Sequence, residues 1–307
     1  MKSAVLKSLG CRRYKSEDTR VAYAFLFPSA VVFLVFTAFP FFYSLYLSFH
    51  KWNILTPVKP FVGLGNYASL FRAPDFWNAV KNTLIYSAGA ILGTTLTSLA
   101  LALLLWKGLR ARNFFRTVYF LPVVTSLVVV AIVWSWIFDP QFGLANKLLK
   151  LIGINGPAWL YSPHWAMFAL VFTSIWKHSG YYMVIFLAGL YGIPEVFYEC
   201  AEVDGANGFQ KLWHITLPLL RRVTALVMVM LTINSFKVFT LVYVMTGGGP
   251  MKSTETIVNY LYRQGFESFR MGYASAIAWV LFMVILLISL FQMRFIGGRR
   301  SAIGQQY

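Results

Sequence analysis

The acidic side chains of this sequence are concentrated in one short stretch. Ten aspartates and glutamates occur among 307 residues, yet Glu199, Glu202 and Asp204 fall within six positions of YECAEVDGANGFQKLWHITLP, residues 198–218. A carboxylate can cap the positive end of a helix or form a charge-assisted hydrogen bond with a cationic partner. Because apolar segments flank the stretch on both sides, these acids predict a shaped contact surface rather than a simple connection.

A second set of polar side chains interrupts otherwise apolar segments. Ser174, Lys177 and Tyr181 share a helical face by their spacing, and Asn234 shares one with Lys237. Such groups can bind a polar solute in water or join helices by hydrogen bonds, and Lys237 can extend its ammonium toward the membrane surface. The candidates for a solute path are Lys177, His178, Tyr181, Asn234 and Ser235. Charge in lipid is costly, which favours the aqueous path for Lys177 and His178.

The sequence contains no pattern typical of a catalytic or metal site. Its histidines and cysteines are scattered, without partners at ligand spacing. No phosphate-binding loop of the form GxxxxGK[ST] occurs. We therefore expect no catalytic residue, no metal and no ATP hydrolysis by that route in this chain. The histidines and cysteines are His50, His164, His178, His214, Cys11 and Cys200.

The composition indicates a membrane protein. The chain is 58% hydrophobic and 12% charged, whereas a soluble domain averages about 25% charged residues. A net charge of +17 raises the alternative of nucleic-acid binding. The basic residues, however, lie between apolar segments and not on one amphipathic face, which argues against that alternative.

Six apolar segments have about the 20 residues needed to cross a bilayer. Backbone groups in lipid need internal partners, so each is predicted to be helical. The predicted fold is an all-α integral membrane protein with a basic N-terminus over 1–21, a six-helix domain over 22–296 and a tail over 297–307. The segments cover about 22–49, 82–106, 114–138, 165–190, 218–244 and 272–296.

Lysines and arginines predict the orientation of these segments. They are about twice as frequent in the N-terminus, the turn near 107–116, the loop near 194–218 and the C-terminus as in the other three loops. The positive-inside rule therefore predicts that both termini face the cytoplasm. The acidic stretch is predicted to be cytoplasmic too.

The acidic stretch itself reads as a helix–turn–helix. Pro194 suits the first turn of a helix, and Gly205 can adopt the left-handed conformation that ends one. FQKLWHI predicts a second short helix, with Phe209 and Trp213 on one side, and Pro218 predicts the break before the fifth segment. An interfacial helix resting on lipid is the alternative, but acids disfavour it because the cytoplasmic leaflet is negative.

The same residues resemble the EAA loop of ABC importer permeases, whose pattern is E-A-A-x-x-x-G followed by I-x-L-P. Here Glu199-Cys200-Ala201, Asp204-Gly205-Ala206 and Leu217-Pro218 match it, with Cys200 in place of alanine. FVGLGNYASLF at 61–71, RTVYFLPVV at 116–124 and MTGGGP at 245–250 are similar to carbohydrate-type permeases of the MalF and UgpA kind. The resemblance assigns ATPase coupling to Glu199, Ala201, Asp204, Gly205, Ala206, Leu217 and Pro218.

The resemblance also implies a set of partners. These are a second permease chain, two ATPase subunits that carry ATP and magnesium, and an external solute-binding protein, in a bacterial or archaeal cell membrane. The solute is then a sugar or sugar derivative, and the two lysines hint at an acidic one or at pairing with the second permease. The competing class is a transporter driven by an ion gradient, which the absence of acids within the apolar segments disfavours. The glycines of TGGGP predict a tight external turn or a flexible lip.

Overall fold

A computed structural model of the protein describes residues 16–106 and 111–296. Most of the predicted N-terminal segment 1–21, the turn residues Lys107 and Arg110, and the predicted tail 297–307 lie outside the described residues. Within the described ranges the regular structure is helical, and a single bridge joins His50 to Phe61. The prediction of an all-α membrane protein is confirmed at this level.

The helices are numbered here in chain order. The first half of the chain contains α1 (Ser16–Phe33), α2 (Phe39–Ser48), α3 (Gly65–Arg72), α4 (Pro74–Trp106), α5 (Arg112–Val124), α6 (Leu127–Ile137) and α7 (Leu144–Leu151). The second half contains α8 (Pro163–Tyr191), α9 (Val196–Val203), α10 (Gly208–Lys211), α11 (Leu217–Leu219), α12 (Arg221–Phe236), α13 (Thr240–Met245), α14 (Ile257–Tyr262) and α15 (Met271–Ile296). Single π-helical turns cover Leu34–Ala38, Leu212–Thr216 and Arg263–Glu267.

Three helical segments are long and apolar enough to cross a membrane, namely Arg20–Ser48, α4 and Met271–Phe295. Three further pairs reach that length only if each is counted as one bent span, which gives up to six in the described residues. The pairs are α5 with α6, bent by 100°, α8 with α9, bent by 68°, and Gly208–Leu219 with α12, bent by 65°.

Two of the predicted spans are not continuous helices, and this part of the prediction is wrong. The segment predicted over 114–138 breaks at Thr125 and Ser126, and the one predicted over 218–244 breaks between α12 and α13. Pro122 lies two residues before the end of α5 and removes a backbone donor there. Apolar residues flank both breaks, so hydropathy averaged over a span does not reveal them.

Helices α4 and α8 form the central pair, and small residues let them approach. Gly89 faces Val171, and a Cβ at Gly93 would collide with the side chain of Ile175. The hydroxyl of Ser98 donates across the pair to the carbonyl oxygen of Ser179 at 2.9 Å. Small residues and interhelical hydrogen bonds are the usual means of helix association in lipid, where apolar burial gives little driving force.

The buried side chains form clusters on both sides of this pair. One cluster joins α4, α8, α9 and α12 at the end of the bundle that bears α9, and includes Leu105, Phe186 and Leu220. Another joins α4, α14 and α15 and includes Phe76 and Ile277. By contrast, the buried residues of Arg20–Ser48 are only Leu47 and Ser48 at its C-terminal end, so most of this first span is left for lipid or another chain.

Candidate functional site

The break between α5 and α6 is held by a charged side chain. A 100° bend leaves carbonyl groups near the end of α5 without helical partners. The ammonium nitrogen of Lys177, on α8, lies 2.6 Å from the carbonyl oxygen of Pro122, 3.0 Å from that of Val123 and 2.7 Å from that of Thr125. Lys177 is only 6% exposed. The three backbone carbonyl oxygens of the bend therefore stabilise the charge of the Lys177 ammonium.

The helices next to this bend line an open cavity of about 310 Å³. Its polar groups come from α4, α8, α12 and the first residues after α12. Leu127, the first residue of α6, also lines it, so the bend sets part of the wall. The polar lining residues are Tyr86, Ser174, His178, Tyr182, Asn234, Ser235, Lys237 and Thr240, and the apolar ones are Leu127, Leu231, Val238, Phe239 and Leu241.

Hydrogen bonds order two sides of the cavity. The amide of Asn234 donates to the hydroxyl of Tyr182 at 3.2 Å, which joins α12 to α8. The Nδ1 atom of His178 lies 2.9 Å from the carbonyl oxygen of Ser174 and 3.4 Å from its hydroxyl. The carbonyl oxygen of the Asn234 side chain has no such bond among the described residues, and the side chain is exposed. The cavity thus presents both donors and acceptors to a solute.

Lys237 lies at the break after α12. It is the C-cap residue of that helix, it is exposed, and it belongs to the lining of the cavity. In contrast to Lys177, its ammonium has no hydrogen bond or ion pair with any residue that the structure describes. The carbonyl end of α12 favours a cation at this position.

Three of the five predicted solute-path residues come together here, namely His178, Asn234 and Ser235. Lys177 faces the bend, and Tyr181 lies outside the cavity of this chain, 39% exposed, with its ring 5.2 Å from that of Tyr182. Tyr86 and Thr240 were not predicted. Tyr86 comes from α4, whose apolar pattern carries no sign of the cavity, and only its packing against α8 could identify it.

The stretch 194–219, which we call the α9–α11 hairpin, is a compact helical turn. Gly205 has a φ of +75°, and its N–H donates to the carbonyl of Glu202 at 3.0 Å while that of Ala206 donates to Ala201 at 2.8 Å. These are the two bonds of a Schellman motif, which ends α9 as predicted. Asn207 and Gln210 then bond reciprocally at 2.9 and 2.8 Å, forming a capping box that begins α10.

The base of the hairpin is fixed to the bundle. The hydroxyl of Tyr198, a buried residue of α9, lies 3.0 Å from that of Thr216. Its ring lies 5.2 Å from the ring of Trp106, the last residue of α4. Glu202 pairs with Lys211 at 2.8 Å across the turn. The break before α12 falls at Leu220 and not at Pro218, because the helical segment Gly208–Leu219 continues through the proline.

The outer surface of the hairpin combines acids with bare apolar side chains. Glu199 and Asp204 are exposed, and Val203, Phe209 and Trp213 are 89%, 70% and 55% exposed. The rings of Phe209 and Trp213 lie 6.0 Å apart, on one side as predicted. Ala201, Ala206 and Leu217 are half-buried behind this surface, and Pro218 is exposed. Exposed apolar groups rimmed by charge are typical of a contact with another protein or with a membrane.

At the opposite end of the bundle, the segment that follows the Thr246–Pro250 loop is tied to α4. Asn82 donates to the carbonyl oxygens of Lys252 and Glu255 at 2.8 and 3.1 Å, and Lys252 pairs with Asp75 at 2.7 Å. The guanidinium of Arg263 lies 2.7 Å from the carboxylate of Glu255. Burial raises the pKa of Glu255, although Arg263 and Lys252 oppose the shift. The hydroxyl of Thr254 lies 2.8 Å from that of Thr246 and 2.6 Å from the carbonyl oxygen of Gly249, so the loop is an anchored turn in this structure.

Comparison with known proteins gives consistent results over most of the chain. Residues 89–301 match the family described as "Binding-protein-dependent transport system inner membrane component". The chain is 39% identical over 284 residues to the probable ABC transporter permease protein YurN of Bacillus subtilis, covering 91% of this chain and 97% of that one. It is 32% identical to the trehalose/maltose transport system permease protein MalF of Thermococcus litoralis, covering 89% and 92%.

A solved structure agrees in fold. The chain is similar to a chain of the bacterial alginate ABC transporter in complex with an alginate pentasaccharide-bound periplasmic protein. The TM-score is 0.81 at 28% identity, covering 92% of this chain and 97% of that chain. The resemblance to carbohydrate-type permeases that the sequence predicts is thereby confirmed.

Proposed function

Since the chain belongs to the family of binding-protein-dependent transport system inner membrane components, and is an ABC importer permease of the carbohydrate type, we propose that it forms one half of a translocation path. A second, different permease chain supplies the other half. The cargo is a sugar or sugar derivative that an external binding protein delivers. The chain thus carries a solute across the membrane and catalyses no reaction.

The cavity between α8 and α12 supports a solute path through this chain. Asn234, Ser235 and His178 offer hydrogen-bonding groups to sugar hydroxyls, and the tyrosine rings offer faces for sugar C–H groups. Tyr181 lies outside the cavity of the single chain, but its exposed ring can line the space that a second permease closes. Lys177 does not contact the solute in this proposal; it stabilises the bend between α5 and α6, which positions Leu127 in the cavity wall.

The α9–α11 hairpin is proposed to transmit the motion of a separate ATPase subunit. The observation that carries this proposal is that the hairpin combines a fixed turn with an exposed surface. Two capping motifs fix the turn, while Glu199, Asp204 and the apolar side chains of Val203, Phe209 and Trp213 are exposed. A lipid-resting helix would bury those apolar groups and would be repelled by anionic headgroups through its acids. A groove on a protein can bury the apolar side chains and offer cationic side chains to the acids.

Orientation and partners follow from that assignment. The hairpin faces the cytoplasm of a bacterial or archaeal cell, both termini lie on the same side, and two ATPase subunits bind ATP and magnesium there. The Thr246–Pro250 loop then faces the binding protein. An ion-driven transporter is less well supported, because none of the acids lines the cavity in the described part of the chain and Lys177 is already paired with backbone carbonyls.

A charge reversal tests the coupling assignment. Glu199→Lys should release the ATPase subunit from the purified complex, while the permease stays inserted in the membrane. Glu267→Lys, which reverses an exposed acid beyond the other end of the bundle, is the matched control and should retain the ATPase. Full ATPase retention together with full uptake in Glu199→Lys would refute the coupling role of this surface.

A further inference from the structure

We propose that the solute of this permease carries an anionic group, a carboxylate, sulfonate or phosphate on a sugar, and that Lys237 is the residue that pairs with it. This inference rests on the proposed function and narrows it to a substrate class. Its basis is a difference between two lysines that the sequence alone does not distinguish. Both fall within apolar segments, and both are candidates for contact with the solute or with the second permease.

The structure separates the two lysines by their partners. The ammonium of Lys177 is bonded to three backbone carbonyls and is nearly inaccessible. Lys237 is an exposed residue of the cavity lining, and its ammonium is bonded to nothing among residues 16–106 and 111–296. A charged side chain inside a membrane protein ordinarily faces a water-filled path and pairs with an opposite charge. Lys177 therefore has a structural role, and Lys237 still lacks its counter-charge.

The remaining cavity wall cannot supply that counter-charge. The lining described here contains hydroxyl, amide and imidazole groups and no carboxylate. Ser235, two residues before Lys237, and Asn234 lie in the same cavity and can donate hydrogen bonds to a nearby oxyanion. An ammonium beside neutral donors is a suitable site for a carboxylate, sulfonate or phosphate, because charge-assisted hydrogen bonds are stronger than neutral ones.

The position of Lys237 at the end of α12 leaves its charge available to pair with a solute anion. It follows the last residue of α12, where the carbonyl end of the helix favours a cation. The helix end thus offsets part of the charge without a permanent anionic partner, and a solute that pairs with Lys237 can be released again. The alternative source of the counter-charge is an acid from the second permease, and the experiments below separate the two.

The first experiment measures the local potential without any knowledge of the solute. In the assembled complex in lipid vesicles, with Cys11→Ser and Cys200→Ser, Asn234→Cys is labelled with an anionic and a cationic methanethiosulfonate reagent. Lys237→Gln should lower the ratio of the anionic rate to the cationic rate by at least about fivefold, because a unit charge nearby acts oppositely on the two reagents. Lys252→Gln, which removes a lysine already paired with Asp75, should leave the ratio unchanged.

Two results of the labelling would overturn the inference. An unchanged ratio in Lys237→Gln would mean that an acid of the second permease already neutralises the ammonium. An equal change in Lys252→Gln would mean that surface charge, and not Lys237, sets the potential at the cavity.

The second experiment measures uptake with the complex and its binding protein. A uronic-acid trisaccharide and the matching neutral trisaccharide serve as probes, with Lys237→Gln and Lys237→Arg as variants. We expect uptake of the anionic probe to fall at least tenfold in Lys237→Gln and to recover partly in Lys237→Arg. Uptake of the neutral probe alone by the natural chain would overturn the inference and leave the proposed function intact. Failure to take up any sugar would instead overturn the proposed function, while the labelling ratio would still report on Lys237.

Discussion

The hydroxyl groups of Tyr198 and Thr216 lie 3.0 Å apart and join the two ends of the α9–α11 hairpin at its base. This bond and the contact of the Tyr198 ring with Trp106 tie the hairpin to α4. A force applied to the exposed side of the hairpin is therefore passed to the bundle, and does not simply bend the connection.

Tyr198→Phe should weaken this connection without removing the ring. The variant loses a buried hydrogen bond that contributes about 1 kcal/mol, so uptake per ATP hydrolysed should fall while basal hydrolysis continues. The measurement is the ratio of uptake to ATP hydrolysis in proteoliposomes. Thr216→Val should give a similar loss, and the two effects should be less than additive in the double variant. Fully additive effects would show that the two hydroxyls act separately.

Gly205 should tolerate alanine poorly and proline not at all. Its φ of +75° costs about 1–2 kcal/mol for a residue with a Cβ, although the space around it is open. Proline would also remove the N–H that bonds to Glu202. Gly205→Pro should uncouple hydrolysis from uptake while the chain still inserts, and Gly205→Ala should give an intermediate loss. Gly208→Ala, at an exposed glycine with negative φ, is the control, and an equal loss there would contradict the conformational argument.

Lys177→Met should destabilise the chain rather than alter its solute preference. It leaves the carbonyls of Val123 and Thr125 without this donor, while that of Pro122 keeps the hydroxyl of Thr125 at 2.6 Å. At about 1–3 kcal/mol for each buried group, the thermal inactivation temperature of the purified complex should drop. Lys177→Arg keeps charge and donors and should restore part of the loss. Lys81→Met, at an exposed lysine of α4, should have little effect. An unchanged inactivation temperature in Lys177→Met would show that the bend does not need this side chain.

Asn234→Leu and Tyr181→Ala should lower uptake while complex yield and basal ATP hydrolysis persist. Asn234→Leu leaves solute hydroxyls unpaired, at about 1–3 kcal/mol per group. Tyr181→Ala removes a ring whose contact with a sugar contributes about 1 kcal/mol, by analogy with aromatic pairs. Complex yield, hydrolysis and uptake are measured on the same samples. Lost assembly with normal uptake in the surviving complex would assign both residues to helix association instead.

Cysteine labelling in intact cells should establish the orientation. Met251→Cys and Gly208→Cys are suitable positions because both are exposed and lie at opposite ends of the bundle. With the natural cysteines replaced, an impermeant reagent should label position 251 from outside and position 208 only after the membrane is opened. External labelling at 208 would reverse the proposed topology.

The sequence is most informative where local rules determine the structure. Gly205 predicts the end of α9 because a Schellman motif needs a left-handed residue, and the acids predict an exposed surface because they cannot be buried unpaired. The grouping of His178, Asn234 and Ser235 follows from helical spacing and from the neighbouring positions of two spans.

The sequence does not reveal features that depend on contacts between distant residues. The break at Thr125 lies in a run of apolar residues, and the side chain that satisfies its carbonyls comes from Lys177, some fifty positions later. For the same reason, spacing alone cannot separate the roles of Lys177 and Lys237, nor can it reveal that Tyr86 faces the cavity.

The dependence of the bend on Lys177 has a consequence for the order in which the protein assembles. The chain is made from its N-terminus, so α5 and α6 enter the membrane before α8 exists. Until then the carbonyl groups of Val123 and Thr125 lack the ammonium that bonds them in the folded chain, and unsatisfied carbonyl groups are costly in lipid. The third span must therefore stay straighter, or remain next to water, until the fourth span arrives beside it. The bend between α5 and α6 in the mature permease is thus completed by a later part of the same chain. A chain whose synthesis stopped before residue 177 would leave this bend unformed.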